Sequence, residues 1–375
     1  GMVVLIGLYT ALIGWSLHIA RSSRDRFGML VAVGGALVGG ARLVLTERFS
    51  ASGFWDEIHQ NGVSVVFYVG ELCRYLVRAP VRDAERGHAV RLFTGNGMRP
   101  HVWRQLVDRF GPFRVLEFYA ATEGNVLLAN LTGDKVGSVG RVVDALGRAE
   151  IALVRYDVDE NRFPRDASGR LMPVDIDEPG VLLSAISEEH ALSRFDGYMD
   201  DDATEVKILR DVFSDGDLWF NTGDLLRRDA DGDYWFVDRV GDTYRWKGEN
   251  VSTEEVASVL SEVPGVHAVA VYGVTLPGRE GRAGMAAIEQ TPDVALDPER
   301  LYQIVAENLF PNARPRFIRL VKSLEHTASF KVLKASLREE GADPGRIGDP
   351  LLWLDDATGN YAPLTMDVYF SLCKG

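Results

Sequence analysis

The stretch VDRVGDTYRWKGENVSTEEV, residues 237–256, decides how the chain divides. Asp238-Arg239 closes one patterned segment, and Gly241-Asp242 follows as a glycine-containing break, a predicted hinge. Arg239, Arg245 and Lys247 then gather three cations around Trp246 in a chain whose formal charge is −13. Cations beside an aromatic ring suit a phosphate or a nucleotide, and a solvated hairpin would read the same way. Ser252-Thr253-Glu254-Glu255 is a capping box. Val256, Val259, Leu260 and Val263 recur on one helical face, and Pro264-Gly265 ends the helix.

Working outward, the downstream side alternates HAVAVYGV (267–274), LYQIVAENL (301–309) and PRFIRLV (315–321). That is strand, helix, strand, and predicts a small α+β domain over 241–375. Upstream, from about 140 to 240, short apolar runs separated by turn residues predict a β-rich subdomain. Further upstream the rhythm is strand then helix: VSVVFYV (63–69) with ELCRYLVRA, AVRLFTGNG (89–97) with PHVWRQLVDRF (100–110), then RVLEFYAATE (114–123). This predicts an α/β fold with a parallel-rich sheet, whose sites lie at the C-terminal ends of its strands.

Composition sets the outer limits. The chain has 375 residues, 46% apolar and 25% charged, enough for two domains with real cores. Disordered, collagen-like and disulfide-scaffold chains are excluded. With 41 Lys and Arg against 54 Asp and Glu, a basic nucleic-acid footprint is not expected. Cys73 and Cys373 form no CxxC pair, which argues for a reducing compartment such as the cytoplasm. The seven histidines are scattered, without metal-ligand spacing. Residues 3–20 are apolar apart from Thr10, Ser16 and His18, and Arg21, Arg24 and Arg26 follow. Two readings stay open for them: a membrane anchor, or a buried segment of an α/β core. The next apolar run, 29–45, reads as a packed helix and strand.

Three further segments carry candidate chemistry. Thr94-Gly95-Asn96-Gly97 is a glycine-rich turn after a strand, where backbone amides approach a flat ring or a phosphate closely; an ordinary turn looks alike. Tyr119-Ala120-Ala121-Thr122-Glu123 puts a hydroxyl beside a carboxylate at a strand end, which suits a phosphate and Mg²⁺ or a plain polar cap. Asn221-Thr222-Gly223-Asp224 places a carboxylate after a glycine turn, as a ribose diol or an ordinary turn would have it.

Taken together, the segments resemble the fatty acid transport protein and very-long-chain acyl-CoA synthetase family of the adenylate-forming (AMP-binding) enzymes. FSASGFWDEI (49–58), YVGELCRYL (68–76), EFYAATEGN (117–125), RFDGY (194–198), NTGDLL (221–226), the opening stretch, VYGVTLPGREGRAGMAAI (271–288), ARPRFIRL (313–320) and DPLLWLDDATGNYAPL (349–364) follow in the family's order. The resemblance runs from about Phe27 to the C-terminus. It implies a large domain over 27–240 and a mobile C-terminal domain over 241–375, with 1–26 not matching. It implies a ligase joining a long-chain fatty acid to CoA, using ATP and Mg²⁺, through an acyl-adenylate.

Site roles follow from the same resemblance. Thr122 contacts the α-phosphate and Glu123 holds Mg²⁺. Gly95, Asn96 and Gly97 lie along adenine with Tyr119 stacked near it. Asp224 holds the ribose hydroxyls, and Arg239 reaches the ribose or a phosphate. In SFKVLKASL (329–337), Lys331 matches the catalytic lysine, with Lys334 the near alternative. A cation there offsets the charge that builds as a carboxylate attacks the α-phosphate.

Two departures stand out. No segment resembles the family's upstream phosphate loop, which predicts weakened or lost adenylation by this chain alone. Ala120 stands where relatives usually have glycine. Rival readings are an inactive remnant that still binds nucleotide or acyl ligand, a membrane-associated fatty acid uptake protein, and an enzyme for aryl or amino acid substrates.

Overall fold

A computed structural model describes residues 3–6, 35–46, 49–120, 126–143, 150–158, 160–187, 205–279, 281–325 and 332–373. The chain forms two compact units: Gly1–Val154 with Arg165–Thr222 and Leu226–Phe236, and Val237–Gly375 with Arg155–Pro164 and Gly223–Leu225.

The first unit is built on a seven-stranded sheet. Its strands are β1 (Val3–Ile6), β2 (Arg42–Leu45), β3 (Val65–Val69), β4 (Leu92–Asn96), β5 (Arg114–Ala120), β6 (Leu127–Ala129) and β7 (Arg141–Val142), in the order β2-β1-β3-β4-β5-β6-β7. The neighbours from β2 to β5 are parallel, and β6 and β7 add antiparallel strands at one edge. Of the two readings of residues 3–20, the part that is described, β1, is a sheet strand lying between β2 and β3. No helix among the described residues is long and apolar enough to cross a membrane.

Parallel strands need crossovers, and the sequence supplies helices for them. Helix α1 (Gly35–Val38) precedes β2, α2 (Phe54–Asn61) leads into β3, α3 (Gly70–Arg78) joins β3 to β4, and α4 (Pro100–Phe110) joins β4 to β5. Pro100 fits the first turn of α4, where its missing N–H costs nothing. Val102, Trp103, Leu106 and Phe110 form the buried stripe of α4. They pack with Trp55, Ile58 and Phe93. The run Val65 to Tyr68 is buried without alternation, as a strand covered on both faces must be.

The β-rich region forms a second sheet from β8 (Ile151–Val154), β9 (Gly180–Ala185), β10 (Ile208–Arg210) and β11 (Leu218–Arg228), in the order β10-β11-β9-β8. Strand β12 (Tyr234–Arg239) pairs with β11, and both strands contribute residues to each unit.

The second unit opens with the hairpin β13 (Tyr244–Trp246) and β14 (Glu249–Val251), followed by α5 (Thr253–Leu260). The N-cap bond of the expected box forms: Ser252 Oγ accepts the Glu255 amide at 3.1 Å. A five-stranded sheet follows, β15 (Val266–Val274), β16 (Ala283–Gln290), β17 (Phe317–Val321), β18 (Leu351–Asp355) and β19 (Asn360–Pro363), in sequence order. Only the β16–β17 pair is parallel, and α6 (Pro298–Asn308) makes its crossover. Helices α7 (Ala335–Glu340) and α8 (Met366–Cys373) complete the unit. The paired glycines Gly273 and Gly284 leave space on the sheet for the buried ring of Tyr244.

Candidate active site

In the first unit the candidate groups stand at the C-terminal ends of neighbouring parallel strands. Gly95 and Asn96 end β4, and Gly97 follows with φ +77°, a conformation that glycine adopts without strain. Gly95 is buried, whereas Asn96 and Gly97 are exposed. Tyr119 lies near the end of β5, half-buried against the cluster of Val126, Leu128 and Leu182. Ala120 is the last residue of β5, paired with Leu127, where strand backbone accepts a Cβ. Thr122, Glu123 and the RFDGY segment lie outside the described residues.

In the second unit Asp224 and Arg239 come together, with Nε 3.7 Å from Oδ1. A loose pair with the arginine half exposed contributes only about 0–1 kcal/mol to stability. The Asn221-Thr222-Gly223-Asp224 segment differs from the turn that its sequence suggests. Strand β11 runs straight through it, and Gly223 at φ +76° breaks the regular backbone within the strand. Glycine in such a position re-aims the side chain that follows. The Val240 amide donates to the Gly223 carbonyl, joining this point to the end of β12.

The cations Arg245 and Lys247 belong to the β13–β14 hairpin. Lys247 (φ +52°) and Gly248 (φ +86°) are its two loop residues, and two positive φ angles define a type I′ turn. Beside this turn lies a cavity of about 260 Å³. Trp246, Lys247, Tyr302, Arg314, Arg316 and Asp356 are among its lining residues. Arg316 donates to Asp356 at 2.6 Å, and Arg314 donates to the Ala306 carbonyl at 2.9 Å. Three cations and two aromatic rings against one carboxylate give this cavity a positive excess in an acidic protein. Arg314 and Arg316 escaped the reading of the sequence, because only folding carries β17 to the hairpin.

Two family models match the chain in tandem: AMP-binding enzyme over residues 26–182, and AMP-binding enzyme C-terminal domain over residues 255–331. The chain carries an AMP-binding enzyme domain and an AMP-binding enzyme C-terminal domain. It is 48% identical over 361 residues to human long-chain fatty acid transport protein 3, covering 96% of this chain and 52% of that protein. Human long-chain fatty acid transport protein 1 is 46% identical over 349 residues, covering 93% and 54%. The chain thus spans about half the length of these relatives. ATP-bound MatB from Rhodopseudomonas palustris superposes with a TM-score of 0.67 at 21% identity, over 90% of this chain and 60% of that one. O-succinylbenzoate coenzyme A synthetase from Bacillus subtilis, with ATP and magnesium ion, gives 0.63 at 21%, over 91% and 62%. At that identity these two structures establish the shared fold.

Lys331 lies outside the described residues, at the last position that the C-terminal family model matches. Lys334 is described and is engaged inside the second unit. Its Nζ donates to Thr253 Oγ1 at 3.2 Å and stands 3.4 Å from Asp242 Oδ2. Arg338 also bonds Asp242. Burial opposes ionisation of Asp242, yet Lys334 and Arg338 outweigh it and hold the carboxyl below its ordinary value. Asp238, 1% exposed, accepts the amide and hydroxyl of Thr253, and burial pushes its carboxyl up. Asp238 and Asp242, on either side of Gly241, are therefore tied to α5 and α7 respectively.

Proposed function

We propose that the protein activates a long-chain fatty acid. The carboxylate attacks the α-phosphate of ATP to give an acyl-adenylate and pyrophosphate, and the thiol of CoA then takes the acyl group and releases AMP. The observation that carries this reading is the tandem match to both AMP-binding models, together with 46–48% identity to long-chain fatty acid transport proteins.

In this proposal the turn of Gly95, Asn96 and Gly97 lies along adenine and Tyr119 stacks near it. Asp224 takes the ribose hydroxyls, and Arg239 the ribose or a phosphate. Thr122 contacts the α-phosphate. Glu123 holds Mg²⁺, which would offset phosphate charge; a carboxylate beside a hydroxyl is a fitting donor set for a hard cation. Lys331 stabilises the charge that develops on the α-phosphate. Arg245 and Lys247 serve the nucleotide phosphates. The cavity lined by Trp246, Lys247, Arg314 and Arg316 suits the phosphorylated end of CoA, because fixed guanidinium groups bind phosphate strongly.

The test is formation of acyl-CoA by the purified chain from ATP, CoA and a long-chain fatty acid, with Lys331→Ala alongside. Product that depends on both ATP and CoA and falls at least a hundredfold in Lys331→Ala supports the reading. ATP-independent binding of the fatty acid without product would favour an uptake or carrier role, in keeping with the relatives' names.

A further inference from the structure

The residues beneath the 95–97 turn carry a buried polar pair that strand packing does not require. Tyr68, Gly95 and Glu117 stand side by side in register on β3, β4 and β5. Side chains at matching positions of parallel strands project from the same face. Gly95, in the middle, has none, so Tyr68 reaches across it. A Cβ on Gly95 would stand 2.1 Å from the Tyr68 carbonyl oxygen and 2.8 Å from the ring. The Tyr68 hydroxyl meets Glu117 Oε2 in a short hydrogen bond. Glu117 Oε1 accepts the Met98 amide at 3.2 Å, and the Gly97 amide also bonds this carboxyl. Tyr68 is 2% exposed and Glu117 3%. Gly70, the first residue of α3, closes the other side; a Cβ there would lie 1.8 Å from the Gly97 carbonyl oxygen.

We propose that Glu117, joined to Tyr68 across Gly95, is a positioning residue that fixes the 97–98 backbone and thereby the nucleotide-binding edge of Asn96 and Gly97. This rests on the reading above that the turn receives adenine. A buried acceptor that holds two consecutive amides leaves the turn one conformation, and a site organised before binding loses less free energy in ordering.

The protonation of Glu117 enters the same device. Tyr68 from β3, Cys73 from α3 and the amides of Gly97 and Met98 act on it. Burial pushes its carboxyl up to about 8 against the hydrogen bonds that favour ionisation. Near pH 7 it is neutral, and glutamine is its close mimic. The amide oxygen accepts from Met98, and the amide nitrogen donates to Tyr68. An opened turn lets the carboxyl ionise in water from about pH 4.5 upward, so the closed turn loses ground with rising pH until about pH 8, where the buried carboxyl ionises as well.

The experiment is calorimetric titration of the full chain with ATP and with AMP, from pH 6.5 to 9, for the wild type, Glu117→Gln, Glu117→Ala and Tyr68→Phe. Wild-type affinity is expected to fall as pH rises through neutrality, by at most tenfold per pH unit for one proton, and to level off above about pH 8. Glu117→Gln keeps affinity within about threefold at pH 7 and removes the fall, whereas Glu117→Ala loses about tenfold or more. Tyr68→Phe keeps the ring and carries the test if the alanine variant does not fold. Hydrogen exchange at the Met98 amide is expected to quicken in Glu117→Ala and Tyr68→Phe, and not in Glu117→Gln. Equal affinity and exchange in all four proteins would overturn the positioning role and leave the nucleotide reading standing. A wild-type chain that binds neither nucleotide would overturn both.

Discussion

Asp224 and Arg239 test the candidate site at the scale of single residues. Their ion pair is itself worth only about 0–1 kcal/mol to the fold, and under the proposed reading replacing either should cost ligand affinity. Asp224→Ala is expected to weaken AMP binding at least tenfold. Unchanged binding, measured by calorimetry, would remove Asp224 from the site. Glu117 bears on stability, because its carboxyl is raised from 4.5 to about 8 in the folded protein. Between those values the unfolded chain releases the proton and the folded chain keeps it. Stability should therefore fall as pH rises from about 4.5 to about 8 and level off beyond. Urea denaturation of Glu117→Gln over that range should show a flatter profile than the wild type. The two lysines also separate here. Lys334 is engaged by Asp242 and Thr253, so Lys334→Ala should lower the stability of the second unit, whereas Lys331→Ala should strike adenylation.

At the scale of elements, the second unit depends on how the β13–β14 hairpin meets the sheet. The ring of Tyr244 is 1% exposed and lies over the facing pair Gly273 and Gly284. A Cβ on Gly273 would come within 2.6 Å of Tyr244 Cβ, and one on Gly284 within 2.2 Å of its hydroxyl. Gly273→Ala is expected to destabilise the protein by roughly 1–3 kcal/mol, as forced overpacking does. A urea midpoint equal to that of the wild type would show that the strands can part to admit the methyl. This pair was not visible beforehand. VYGVTLPGREGRAGMAAI shows its glycines plainly, yet nothing local says that a tyrosine almost thirty residues earlier in the chain covers them. The α5 cap was visible, because a capping box is a contact among residues three apart.

For the whole molecule, the cavity beside the Lys247-Gly248 turn is where the second half-reaction is best probed. Arg314 and Arg316 begin the approach to β17, while Trp246 and Lys247 come from the hairpin. If the cavity holds the phosphates of CoA, Arg314→Ala should raise the KM for CoA about tenfold and leave the pyrophosphate-forming step untouched. Pyrophosphate release and acyl-CoA formation, measured separately on the same protein, decide this. Equal loss in both steps would point to a structural role, through the hydrogen bonds of Arg314 to the end of α6.

The sequence by itself determined whatever short-range chemistry governs. Strand and helix alternation set the parallel sheet, since a buried run of Val and Phe followed by an amphipathic stripe has few other solutions. Pro100, Ser252 and Lys247-Gly248 set their helix starts and turn through local backbone preferences. The ordered motifs identified the family, because so many spaced residues do not recur by chance. Only the tertiary structure decided which distant residues meet. It turned the expected Gly223 turn into an irregular strand, and it engaged Lys334 with Asp242. It also brought Tyr68 over Gly95 to Glu117. Each of these depends on strand register and sheet order, which are fixed by the packing of faces far apart in the chain.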